Sequence, residues 1–241
     1  NLAQGYLSFN HLFNNDAKVW LGRRYYDRKD IHIMSHYWLN PGQNSQAGVG
    51  VEDINTGSGK LNIALFRNED KDGALLINST NVDVRWHDLH VFNNSKLTLW
   101  AGLTTRHASA TYATKTGQGI GAWLDSKATN TKNTTAIIFQ KGAAITQTDF
   151  NPNPIRENLG DGWNLNKATL FEINNMLTYE SLPNYSFQWT ALYHQEDHGT
   201  AGDSKVTWIS TGIRPIFYFS KHLNLAFEAG IDSIDDKVNN R

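Results

Sequence analysis

VTWISTGIRPIFYFSKHLNLAFEAGIDSI, residues 206–234, reads as two strands joined by the turn Ser220-Lys221-His222. In the first, Ile209, Ile213, Pro215, Phe217 and Phe219 oppose Ser210, Arg214 and Tyr218; in the second, Leu225, Phe227, Ala229 and Ile231 oppose Asn224, Glu228 and Asp232. Side chains alternate between the two sides of a strand, so each of these strands has one apolar and one polar face. The alternation recurs at Leu97, Leu99, Ala101 and Leu103 and at Phe187, Trp189, Ala191 and Tyr193. Worked outward, it predicts about eleven strands and almost no helix. They lie near Ala3–Leu12, Asp16–Tyr26, Lys60–Arg67, Val82–Phe92, Leu97–Arg106, Gly119–Ala128, Thr134–Ala144, Ala168–Glu180, Ser186–Gln195, Val206–Ser220 and Asn224–Ile234. The phase slips between Val82, Val84, Trp86 and Leu89, Val91, which predicts a bulge.

The connections alternate short and long. Tight turns fall at Asn14-Asn15, Asn93 to Lys96, Thr131 to Asn133, Leu182 to Tyr185 and Ser220 to His222. Long polar loops fall at Asp27–Gly59, Asn68–Asn81, His107–Gln118, Ile145–Lys167 and Glu196–Lys205. A soluble Greek-key sandwich has no reason to gather its short connections at one end, whereas an outer-membrane barrel has short periplasmic turns and long outer loops. Tyr6, Phe9, Phe13, Phe92, Tyr193, Tyr218 and Phe219 near strand ends suit interfacial aromatic girdles. No apolar run is long enough for a transmembrane helix, but a barrel strand needs only about 9–11 residues, half of them facing water. A mean hydropathy of −0.50 permits that. Zero Cys excludes a disulfide framework and a thiolate metal site, and a net charge of −1 gives no basic field for nucleic acid. With no Met or signal segment at Asn1, the chain is expected to be a mature protein or an internal piece of one, a single domain over residues 1–241 incomplete at both ends.

The stretch DAKVWLGRRYYDRKDIHIMSHYWLNPG, residues 16–42, runs from a strand into a loop crowded with cations and rings. Arg28, Lys29, Asp30, His32, His36, Tyr37 and Trp38 combine charged hydrogen-bonding groups with flat apolar surfaces. A sugar needs both, rings for its apolar face and charged groups for its hydroxyls.

These residues, with the Gly-Ile-Arg-Pro core at residues 212–215 and the following FEAGIDSIDD, resemble the maltoporin-type carbohydrate porins. The likeness is strongest in Val19–Tyr37 and Trp208–Asp232, fair through Glu52–Phe66 and Val82–Gly102, and poor from Thr111 to Asn166. The resemblance implies an all-β, antiparallel up-and-down transmembrane barrel in the bacterial outer membrane, with about eleven of the family's eighteen strands present. It also implies a homotrimer that passes sugars by passive diffusion, and an inward-folded constriction loop over residues 27–59. By the same resemblance Arg28 matches a cation of the polar track and Tyr37 the ring that narrows the pore, while Arg24, Tyr26, Asp30 and His32 keep the family's residue types. Lys29, His36, Trp38, Trp100 and Arg214 complete the expected sugar-contacting set; Trp100 is expected on the lumen side of its strand, opposite Leu99 and Ala101. The family has acids where this chain has Ser35 and, just beyond, Asn40, and an aromatic near Thr131–Thr134 is missing, so the constriction is expected to be cationic. The alternatives are a soluble β-rich carbohydrate-binding module and an outer-membrane barrel enzyme.

Other constellations are weak. His87 and His90 beside Asp83 and Asp88 are three apart on a strand and point to opposite faces, so no metal is expected there. Glu52-Asp53 and Asp235-Asp236 are adjacent pairs rather than carboxylates converging across a cleft. No nucleophile elbow is present, and the glycines at 117–121 precede no helix. No enzyme activity and no cofactor are therefore expected; the expected partners are sugars, the lipid bilayer and copies of the chain, with no nucleic acid.

Overall fold

A computed structural model describes residues 4–11, 16–42, 46–68, 78–108, 113–148, 164–182, 184–200 and 204–237. The strands are β1 (Gly5–Phe9), β2 (Lys18–Arg23), β3 (Lys29–Ile31), β4 (His36–Leu39), β5 (Ala47–Asn55), β6 (Lys60–Asn68), β7 (Ser79–Phe92) and β8 (Ser95–Arg106). They continue with β9 (Lys115–Lys127), β10 (Thr131–Gly142), β11 (Thr169–Leu182), β12 (Tyr185–Asp197), β13 (Lys205–Ser220), β14 (Leu223–Ala226) and β15 (Ala229–Asp236). Thirteen of them form one sheet in sequence order with β3 and β4 left out, and every pairing is antiparallel. This is the up-and-down wall that the alternation predicts.

The wall is apolar outside and polar inside. Along β8, Leu99 and Leu103 are exposed while Thr98, Trp100, Thr104 and Arg106 are buried; along β7, Asn81, Asp83 and Arg85 are buried. Ile120, Ile137, Phe139, Ile173, Ile209 and Ile213 extend the exposed apolar face across further strands. Water would penalise this arrangement and hydrocarbon rewards it, since the sheet satisfies its own backbone and only apolar side chains meet lipid. Between wall strands the described short connections, at residues 56–59, 93–94, 128–130 and 221–222, fall at one end and the longer ones at the other. Phe92 and Phe219 are exposed at the short end. Phe13, the Asn14-Asn15 turn and Pro183 lie outside the described residues.

Several expectations are corrected. β5 is a wall strand inside the stretch expected to be loop, so the inward segment ends before Ala47 rather than at Gly59. The strand expected at Asn224–Ile234 is two pieces, β14 and β15, both paired to β13, with the gap opposite Arg214 and Pro215. Pro215 has no N–H to give the ladder, which breaks the pairing there. Ala143 and Ala144, expected to end a strand, open a fully buried 3-10 turn, Ala143–Gln147, that tucks under β8 and β9. The predicted bulge is present, as register shifts between Trp86 and Leu89 and between His90 and Phe92, with Asp88 at φ 58.

Candidate functional site

After β2 the chain turns inward, and residues 24–42 lie across the polar face of the wall. β3 and β4 form a small hairpin in which Asp30 faces Tyr37 and Ile31 faces His36. One side of this segment is glued down. Tyr26 packs with Trp20 and Phe66, ring centroids 5.1–5.7 Å apart. Trp38 meets Trp123 edge to face at 5.3 Å, and Ile31 and Leu39 are fully buried beside them. The buried 3-10 turn supplies backbone partners: Asn40 N donates to Gln147 O at 2.7 Å, and Thr148 Oγ1 donates to Trp38 O at 3.0 Å. Asn81 Nδ2 donates to Pro41 O at 2.7 Å.

Charge fixes the segment as well. Arg85, 1% exposed, donates through Nη1 to Asp27 O at 2.8 Å and to the Asp27 carboxylate, and through Nε to Asp83 Oδ1 at 2.8 Å. Trp100 Nε1 donates to the other Asp83 oxygen at 2.8 Å. A buried guanidinium is tolerable only when its donors are engaged in this way. The protein around Asp27 pushes its carboxyl up, but Arg85 and Lys29 outweigh that and hold it below the usual carboxylate range. At the far end, His36 Nε2 lies 2.9 Å from Glu172 Oε2 on β11, which lies 2.9 Å from His194 Nδ1 on β12.

The other side is less covered: Arg28, Asp30 and Tyr37 are half-buried. Arg28 stacks on Tyr25 at 4.1 Å and on Tyr37 at 4.9 Å, and no carboxylate pairs with it among the described residues. Asp30, opposite Tyr37 in register, completes a cation, an anion and a ring on one surface. Such a group can grip a solute that has both hydroxyls and an apolar face.

The nine expected contact residues thus divide. Arg28, Asp30 and Tyr37 come together on the less covered side. Lys29 pairs with Asp27 at 2.8 Å and lies over Trp123, beside a cavity of about 160 Å³ that Arg85, Asn62 and Asp125 also line. Arg24 is held by Glu52 at 3.2 Å and by the rings of Tyr6, Trp20 and Tyr26. Arg214 pairs with Glu228 and Gln188; it shares the inner face of β13 with Gly212, beside which Ile33 of the loop sits. His36, Trp38 and Trp100 are all buried, packed between the loop and the wall or within the wall. Trp100 does have the expected inward parity, but its indole fills the space over Gly102 and Gly119. Asn40 is also buried, so a missing acid there leaves the exposed charge unchanged. Sequence reasoning missed Glu172, His194 and Asp27; the acids and imidazoles of β11 and β12 become neighbours only through the pairing register.

The LamB porin family matches residues 1–241. A maltoporin of Photobacterium profundum is 38% identical over 86 residues, which is 36% of this chain and 19% of that protein's length. Among solved structures, the outer membrane channel DcaP of Acinetobacter baumannii superposes with a TM-score of 0.66 at 13% identity, over 98% of this chain and 69% of its own. Outer-membrane expressed OmpT of Vibrio cholerae gives 0.60 at 12% identity, over 98% and 72%. A BenF-like porin from Pseudomonas fluorescens Pf-5 gives 0.54 at 11%, over 97% and 62%. At these identities the structural likeness is one of fold, the wall of an outer-membrane barrel.

Proposed function

The chain belongs to the LamB porin family, and we propose that it forms the wall and constriction of an outer-membrane channel through which oligosaccharides or glycosides diffuse passively. One observation supports this reading: residues 24–42 are folded onto the polar inner face, with Arg28, Asp30 and Tyr37 half-buried together on one side of the segment. An inward-folded loop narrows a water-filled barrel, and an aromatic ring at the narrow point, with a cation and an anion beside it, binds a sugar weakly enough to release it. Family membership supports a channel rather than an enzyme, and the homotrimer is the assembly that the resemblance implies. The soluble carbohydrate-binding module is disfavoured by the apolar outer face, which would stand in water.

The test is conductance of the full-length protein in planar bilayers. Tyr37→Ala should raise single-channel conductance and weaken the current block produced by sugar. Tyr37→Phe should keep most of both, because the ring supplies the bulk and the hydroxyl only one hydrogen bond. Unchanged conductance in Tyr37→Ala would remove Tyr37 from the constriction.

A further inference from the structure

The cluster that pins the loop at His36 has more chemistry than a latch needs. We propose that His36, Glu172 and His194 form a binding site for one divalent transition metal ion, zinc by preference, that cross-links the inward loop to the wall. The sequence predicts no metal site, because these residues are 136 and 22 positions apart and only the fold unites them.

The donor set has the composition of a zinc site with an open fourth position: two imidazole nitrogens and one carboxylate oxygen. Glu172 Oε2 lies 2.9 Å from His36 Nε2 and 2.9 Å from His194 Nδ1, and all three donors fall within 4.8 Å of one another. Donors bonded at about 2.0–2.1 Å to a tetrahedral ion stand about 3.3 Å apart, so modest side-chain movements admit the metal. All three side chains are fully buried. Imidazole nitrogen favours zinc and its transition-metal neighbours, whereas calcium and magnesium call for oxygen ligands.

The groups behind the donors point the same way. His194 binds through Nδ1, and its Nε2 is 3.1 Å from Glu196 Oε1, a buried carboxylate set to hold the ring and its tautomer. Glu172 offers Oε2, and its other oxygen accepts from Asn174 Nδ2 at 2.8 Å. Metal-bound histidines and carboxylates are commonly oriented by outer partners of this kind. Charge balances too. Glu172 and Glu196 bring two negative charges into a site with no exposure to water, and a dication neutralises both while each imidazole stays neutral.

The experiment uses the full-length protein purified from outer membranes without chelator, then dialysed against metal-free buffer and assayed for metal by plasma mass spectrometry. About one zinc per chain is expected, removed by EDTA and restored by added zinc. His36→Ala, which alters the loop and leaves the wall intact, should weaken zinc binding at least tenfold, and Glu196→Gln should weaken it about 10–100-fold while keeping all three donors. Cobalt in place of zinc should give the visible absorption of a tetrahedral nitrogen-and-oxygen site. Wild-type protein that takes up no stoichiometric zinc, or His36→Ala protein that binds it as tightly as wild type, overturns the proposal and leaves a hydrogen-bonded cluster. None of these readouts involves transport, so failure here and failure of the channel reading are distinguishable.

Discussion

Leu99→Arg separates a membrane wall from a soluble sheet, because the same geometry gives different costs in the two solvents. Leu99 is fifth in the 12-residue strand β8, 40% exposed, and flanked in register by Trp86 and Ala122. Twelve residues rising about 3.4 Å each and tilted about 40° span about 31 Å along the barrel axis, which places Leu99 within about 4 Å of the middle of the hydrocarbon. In water, a substitution at so exposed a site changes stability by no more than about 0.5 kcal/mol. At the bilayer midplane an outward arginine costs about 2–4 kcal/mol. At about 1.4 kcal/mol per factor of ten, that is roughly a 30- to 700-fold change in the folding equilibrium. The assay is denaturant unfolding of the full-length protein in phospholipid vesicles. Leu99→Ala serves beside it, since it reports the lost apolar contact without the charge. If Leu99→Arg and Leu99→Ala agree to within about 0.5 kcal/mol, Leu99 does not face lipid and the reasoning fails.

Three further predictions bear on the inner face. Trp38 is fully buried against Trp123, so Trp38→Ala should cost about 3–5 kcal/mol and show as a lowered unfolding midpoint together with noisier open-channel current. Gly119→Ala would place its Cβ 2.5 Å from Trp100 Cη2, costing about 1–3 kcal/mol. In a Trp100→Ala background the same change should have almost no effect, and full additivity in that double-mutant cycle would show that the two positions do not touch. Arg28, with only tyrosine rings against it among the described residues, should draw anions to the constriction. Arg28→Ala should lower the anion preference in reversal-potential measurements, and a cation preference unchanged by the substitution would count against that role.

What the sequence disclosed and what it hid follow from one physical difference. The wall was legible because a strand with lipid on one side and water on the other writes its period into adjacent residues, as Leu99, Ala101 and Leu103 do against Thr98, Trp100 and Thr104. The loop was legible only in composition. Which of His36, Tyr37 and Trp38 packs onto the wall depends on how the segment lies across strands far away in sequence, and no local pattern carries that. The structure divides these neighbours by burial alone: Tyr37 is half-buried, while His36 and Trp38 are buried.

β5 was missed for a reason that the packing explains. Its sequence, AGVGVEDIN, has little to mark it as a strand, since Gly48 and Gly50 occupy inward positions where side chains would signal one. Those glycines are empty because neighbours fill the space: a Cβ at Gly50 would sit 2.6 Å from the indole nitrogen of Trp20 on the adjacent strand, and one at Gly48 2.8 Å from Leu65 O and Phe66 Cδ1 and 2.9 Å from the Trp20 ring. Trp100 repeats the arrangement over Gly102 and Gly119 on its own and the neighbouring strand. In both places a large ring fills the space against the wall, and the glycines beside it give up strand propensity to make room. The glycines that weaken the local signal therefore encode the tertiary contact. An inward Trp on one strand and paired inward glycines on the next are two halves of one statement about register, readable as such only when both strands are considered together.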